Sequence, residues 1–189
     1  VWIRNISNAL EKLKNVSELR NAARNIDNMA VRDSLTGVYN RMGINRFVVD
    51  MVKQANTSRR RLLFIFADMD GLKKINDEFG HEAGDQAICL AAEALQEAFC
   101  EKELIIRYGG DEFLVVSDAL CWEQAEEKKA QITALLKQWQ RDEKLPYRLS
   151  MSIGYYQKEP DTEASMEQYI NWADERMYEM KCKNREQRK

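Results

Sequence analysis

The segment Leu62-Leu63-Phe64-Ile65-Phe66-Ala67 is an unbroken apolar run that stops abruptly at Asp68-Met69-Asp70-Gly71. It is far shorter than the roughly 20 residues that span a bilayer, and a short run of this kind suits a strand buried on both faces. Such a strand needs cover on each side. With 189 residues there is room for one domain and an appended segment, not for two ordinary domains. Hydrophobic residues at 44%, with only 2 Pro and 8 Gly, exclude a disordered, collagen-like or low-complexity chain. The 29 Lys and Arg against 31 Asp and Glu leave a net charge of -2, so no global basic field nominates nucleic acid or an anionic membrane as partner. A polyanionic ligand would need metal ions or a local basic cluster. No signal segment opens the chain, and the start at Val1 predicts a fragment of a longer polypeptide. Cys89, Cys100, Cys121 and Cys182 show no CxxC or Cys/His spacing, which predicts reduced thiols in a cytoplasmic protein rather than disulfides or zinc.

Ahead of the strand, the apolar positions Ile3, Ile6, Leu10, Leu13, Val16, Leu19, Ala23, Ile26 and Ala30 keep steps of three or four, the mark of a helix. The stripe approaches a heptad seam and breaks phase between Leu13 and Leu19. It therefore fits either half of a short parallel coiled coil or a helix packed on its own domain. Residues 1–31 are accordingly expected to form an N-terminal signalling or stalk helix, with the domain proper at 32–189. An amphipathic stretch carries Ile44, Phe47, Val48, Met51 and Val52. A helix is expected over 84–99, and Leu104-Ile105-Ile106 and Phe113-Leu114-Val115-Val116 flank Gly109-Gly110 as a hairpin. A charged helix from Trp122 to Trp139, a strand from Tyr147 to Tyr156 and a last helix from Met166 to Lys181 complete the order. That order implies an α/β (α+β) sandwich, a mixed sheet with helices packed on it.

Two acidic clusters carry the chemistry. Residues two apart in a strand face one side, so Asp68 and Asp70 are expected to point together while Met69 points away and leaves its carbonyl free. If the hairpin lies beside that strand, Asp111 and Glu112 come within reach of Asp68. Carboxylates so crowded repel unless a cation joins them, and hard oxygen donors suit Mg²⁺ or Mn²⁺, above all where phosphates complete the shell. A pair of such ions activates an attacking oxygen and neutralises a leaving one. The bland alternative is that the acids only solubilise strand ends. Gly71-Leu72-Lys73 leaves backbone N–H groups free at a helix start, where phosphate oxygens are commonly held. Asn76, Asp77, Gly80, His81, Gly84 and Asp85 read as a compact polar stretch before a helix. In it Asp85 is either a helix cap or an acceptor for guanine's adjacent N–H donors, and His81 either a general base or a structural residue.

The segments Asp33-Ser34-Leu35-Thr36-Gly37-Val38-Tyr39-Asn40-Arg41, Asp68-Met69-Asp70 with Lys73 and Ile75-Asn76-Asp77, Gly80-His81, Gly84-Asp85, Arg107-Tyr108-Gly109-Gly110-Asp111-Glu112-Phe113 and Ser152-Ile153-Gly154 stand in the order of a known family. Over about residues 32–185 the chain resembles the GGDEF family of diguanylate cyclases. The resemblance implies a palm-like fold similar to nucleotidyl cyclase catalytic domains, and condensation of two GTP into cyclic di-GMP with release of pyrophosphate. By the same resemblance Asp68, the Met69 carbonyl and Asp111 are metal ligands, with Glu112 close to two Mg²⁺ (or Mn²⁺) per active site, and Asp111 is the proton acceptor. Asn76 and Asp85 look like guanine contacts with His81 beside them, Gly71, Leu72 and Lys73 like the phosphate turn, and Lys181 and Arg185 like the basic pair that reaches the phosphates.

Two departures stand out. The family's inhibitory Arg-x-x-Asp falls on Cys100 to Glu103, so the planar double donor for product is missing. Asn184 replaces a glycine before the last basic residue, a small change because Asn tolerates left-handed geometry. The resemblance further implies a homodimer closing across the substrates, an upstream sensory domain, and a cytoplasmic location open to membrane anchoring through upstream segments. Neither a nucleic-acid partner nor a membrane segment is expected in this stretch. A silent GTP- or product-binding module and an RNA- or DNA-processing palm domain are the competing readings, the second disfavoured by the acidic balance.

Overall fold

The computed structural model describes residue 14 and residues 30–99 and 102–186, the last four of these by their backbone alone. The helix and stalk expected before Ala30, and Cys100 at the inhibitory position, lie outside the described residues. The chain divides into two compact units, residues 1–32 and 33–189.

The second unit opens with a π-helical turn, Ile44–Val48, which continues into α1 (Val49–Thr57). Then come β1 (Leu62–Met69), α2 (Leu72–Phe79), α3 (His81–Ala98), β2 (Leu104–Arg107), β3 (Glu112–Ser117), α4 (Trp122–Asp142), β4 (Met151–Lys158) and α5 (Met166–Glu186). The sheet order is β2-β3-β1-β4. All pairings between these strands are antiparallel, and among the described residues a parallel element enters only through the isolated bridge of Tyr39 to Ile106. β1 is central and buried along its whole length. Alternation along it explains why the run is apolar throughout: Leu63, Ile65, Ala67 and Met69 pack with α3 and α4 residues such as Leu95 and Leu136, while Leu62, Phe64 and Phe66 pack with Val48, Tyr169 and Met177 on the other face. Burying each large side chain of that set stabilises the fold by about 1.5–3 kcal/mol, so one strand nails two cores together.

Two details of packing differ from expectation. The polar stretch before α3 is not a loop: Leu72–Phe79 is itself a helix, broken from α3 at Gly80. Asn76 from α2 lies against Gly84 of α3 so closely that a Cβ on Gly84 would overlap the Asn76 side chain. The last strand begins at Met151 rather than Tyr147, because Tyr147 turns inward and its hydroxyl sits 3.1 Å from both Ala83 O and Gln86 Oε1. At Gly154, a Cβ would overlap the backbone of Met177, so α5 crosses β4 almost backbone to backbone. That crossing fixes where the residues after Met177 are delivered.

Candidate active site

β1 hands its carboxyl end to β3 on one side and β4 on the other. Asp68 is paired with Glu112 across β3 and with Ser152 across β4, and the Met69 N–H donates to Asp111 O at 3.1 Å. The hairpin turn is thereby stitched onto the last residue of β1, as the two acidic clusters require. Asp68 is 7% exposed and accepts a hydrogen bond from the Lys181 ammonium, brought over by α5. Burial nonetheless holds the Asp68 carboxyl above its ordinary range, with Lys181 opposing and Asp111 and Asp70 adding repulsion. Glu112 is raised in the same way by burial and by Asp68, Asp111 and Asp174. Asp174 is raised by burial and by Glu175, with Lys181 opposing. Glu112 folds back over Gly109, where a Cβ would collide with its carboxylate. The Met69 side chain is buried in the α3/α4 core, pointing away from the acids as alternation demands.

The turn itself is held from behind. Arg107 gives Nε and Nη2 to Gly110 O at 3.1 and 2.8 Å, and Nη1 to both oxygens of Asp33 at 3.1 and 3.2 Å. Asp33 also accepts from Thr36 N at 2.9 Å and Thr36 Oγ1 at 2.7 Å. Burial pulls the Asp33 carboxyl upward, but the bonds from Thr36 and Arg107 outweigh it and hold the group below its usual range. Asp33 and Arg107 stand 74 residues apart, and in the sequence each is visible only as a motif letter. The structure makes them one staple that sets the backbone of Gly110 and hence the aim of Asp111.

Gly71 opens α2 with φ +81°, a left-handed backbone that a side chain would resist, and Leu72 and Lys73 follow in the first turn. Asn76 is half-buried between α2 and α3. His81 is the first residue of α3 and exposed, not a loop residue, and Asp85 is also exposed in the second turn of that helix. Asp70 stands near enough to Asp68 to repel it, as strand alternation suggests, although the strand itself ends at Met69; its carboxylate accepts from Ser150 Oγ at 2.8 Å and Ser152 Oγ at 2.7 Å. Asp174 is a site residue that sequence reasoning missed, although its spacing of seven from Lys181 places both on one face of a helix. Arg185 lies in the last turn of α5, its side chain outside the described residues. Glu103, at the inhibitory position, is 6% exposed and faces Ser117 Oγ at 3.3 Å, turned inward rather than offered to a ligand.

The donors are hard oxygens with one near cation between them, which is the chemistry a divalent ion accepts. As they stand, no group of three or more ligand-type side chains among the described residues is arranged to hold a metal ion. The misfit is local, since it lies in the Glu112 carboxylate folded over Gly109 and in Lys181 on Asp68. No helix among the described residues is long and apolar enough to cross a membrane.

Comparison with known proteins converges on this region. The family described as diguanylate cyclase, GGDEF domain, matches residues 30–187. The chain is 30% identical to the diguanylate cyclase DgcP of Escherichia coli (strain K12) over 184 residues, covering 93% of this chain and 52% of DgcP. It is 31% identical over 169 residues to MucR of Pseudomonas aeruginosa, a bifunctional diguanylate cyclase/cyclic di-GMP phosphodiesterase, covering 89% of this chain and 24% of MucR. The chain thus spans no more than about half the length of these curated relatives. The coiled coil and GGDEF domain of DgcB from Caulobacter crescentus, solved in complex with c-di-GMP, superposes with a TM-score of 0.75 at 20% identity, covering 93% of each chain, a likeness of fold. The chain belongs to the diguanylate cyclase GGDEF-domain family.

Proposed function

We propose that residues 32–189 are the catalytic domain of a diguanylate cyclase that condenses two GTP into cyclic di-GMP and releases pyrophosphate, within a protein whose upstream part is sensory. The observation that carries this reading is the juxtaposition of Asp68 with Glu112 across β1 and β3, with the Asp111 backbone bonded to Met69 and its turn pinned by Arg107. Family membership over residues 30–187 supports the same assignment. In it Asp68, the Met69 carbonyl, Asp111 and Glu112 hold two Mg²⁺ or Mn²⁺. When bound, these ions activate the attacking 3′-hydroxyl and neutralise the leaving oxygen.

The chain's own groups do the rest. Asp111 takes the proton of the 3′-hydroxyl. The N–H groups of Gly71, Leu72 and Lys73 hold phosphate oxygens at the start of α2, and Lys181 and Arg185 add charge from α5. Binding a cation at Asp68 would release the Lys181 ammonium for those phosphates. Asn76 and Asp85, with His81 beside them, contact guanine. One domain holds one GTP, so the ring closes only when two domains face each other across the substrates. The N-terminal stripe, paired in parallel, would raise the effective concentration of one domain beside the other.

The test is magnesium-dependent pyrophosphate release from GTP, followed against enzyme concentration, with cyclic di-GMP identified as product. Specific activity rising with concentration is expected. GTP binding without turnover at any concentration would replace the reading with that of a silent nucleotide-binding module.

A further inference from the structure

Just before β4, at the end of that strand which pairs with Asp68 and Met69, two cavities share a wall made by Asp70, Arg148 and Ser150. One, of about 310 Å³, runs from that wall to Gly71 and Lys74 at the start of α2. The other, of about 360 Å³, runs to Lys129 and Lys137 on α4 and Met180 on α5. Together they form one trough with four cations along it, in a chain whose net charge is -2. Two of the cations are locally engaged, Lys74 with Glu78 at 3.6 Å and Lys129 with Glu126 at 3.5 Å. Lys137 and Arg148 meet no carboxylate among the described residues, and both are exposed. Two acids also line it, Glu78 and Asp70, the second of which takes hydrogen bonds from Ser150 and Ser152, so the four cations outnumber the acids. The trough is therefore a concave, locally positive surface in a protein with no global basic field, the local cluster that a polyanion requires here.

We propose that this trough is a second anion site, adjoining the phosphate turn at Gly71 but centred on residues outside it, which takes a ligand carrying two or more phosphate groups through Arg148 and Lys137. Arg148 offers a planar fork matched to phosphate oxygens, and Lys137 a mobile point charge. The volume admits pyrophosphate, a nucleoside triphosphate tail or the phosphodiesters of a cyclic dinucleotide, which share this chemistry. Occupancy touches the catalytic end through two elements. Ser152, bonded to Asp70, is the β4 partner of Asp68, and Met180 directly precedes Lys181. The proposal concerns binding and stands apart from the cyclase assignment.

Calorimetric titration of the intact chain in magnesium-free buffer, with pyrophosphate, a non-hydrolysable GTP analogue and cyclic di-GMP in turn, tests it. Each titration is run on the parent, on the double variant Lys137→Ala with Arg148→Ala, and on Lys73→Ala. Because Lys137 and Arg148 are exposed, the double variant should melt with the parent. Loss of two charge-assisted contacts should weaken the trough ligand at least tenfold. The probe that weakens in the double variant and not in Lys73→Ala identifies the source of the phosphates. If all three probes bind the double variant within twofold of the parent, or if none binds the parent saturably, the proposal is overturned.

Discussion

At the hairpin turn the strong polar groups are matched. Arg107 spans Gly110 O and both Asp33 oxygens, Asp33 is further satisfied by Thr36, and its carboxyl sits below the usual range. One residue beyond the turn, Glu112 crowds with Asp68 and Asp174 around one ammonium, Lys181, and all three carboxyls are pushed upward by burial first and by neighbouring acids second. The same residue type is thus stabilised in one region and frustrated in the next. A scaffold that satisfies its own charges can hold in place a site that does not, and the unmatched charge is what a cation-bearing substrate complex would complete.

The sharpest way to break this contrast is Asp68→Asn. If the frustrated end exists for cations, turnover should fall by about 10³-fold or more, while the melting temperature stays within a few degrees of the parent, because Asn keeps the side-chain volume at this buried β1 position and removes a charge that burial disfavours. Retention of a tenth of the parental rate would remove Asp68 from the metal assignment. Gly154→Ala comes next and attacks the delivery of α5. A methyl overlapping the Met177 backbone must push the helix off β4, costing about 3 kcal/mol and moving Lys181 from Asp68. Chemical denaturation and turnover should both suffer. A folded variant of unchanged activity would show that the crossing does not position Lys181.

Arg107→Lys probes the satisfied region. One ammonium cannot span Gly110 O and two Asp33 oxygens, so stability should drop by about 2 kcal/mol. If the turn aims Asp111, the turnover number should fall about tenfold with little change in KM. A loss of stability with intact turnover would mean that the staple only holds the fold.

These regions are unequally legible in the sequence. The strand Leu62–Met69, the hairpin and the helices on either side follow from apolar periodicity and glycine chemistry, which are local properties. Asp68 and Glu112 can be brought together by one assumption, that the hairpin pairs with the central strand. The α2/α3 break cannot be read, because Leu72–Phe79 is a two-turn helix with a single fully buried residue, Ile75, and its lock is the contact of Asn76 with Gly84. Nor can Asp70. Strand alternation puts it beside Asp68, but its fate depends on serines 80 and 82 residues away. The Arg107–Asp33 staple has the same character, a partnership between distant letters that only the fold reveals.

The smallest effect sets the two carboxylates against each other directly. Glu112→Gln removes a charge that burial and its neighbours disfavour, so in metal-free buffer at neutral pH the variant should melt higher than the parent, by on the order of 2 °C. Added Mg²⁺ should erase the gain by giving the parent's charge a partner. Asp33→Asn should do the opposite and melt lower. Because the folded-state pKa of Asp33 is depressed, its contribution is present above the unfolded value and lost as pH falls through the folded one. The gap between parent and Asp33→Asn should therefore be widest near neutrality and close as the solution is acidified below the ordinary carboxylate range. If both variants shift the melting temperature in one direction at neutral pH, the turn and the strand end are not opposed, and the division into a satisfied scaffold and a frustrated site fails.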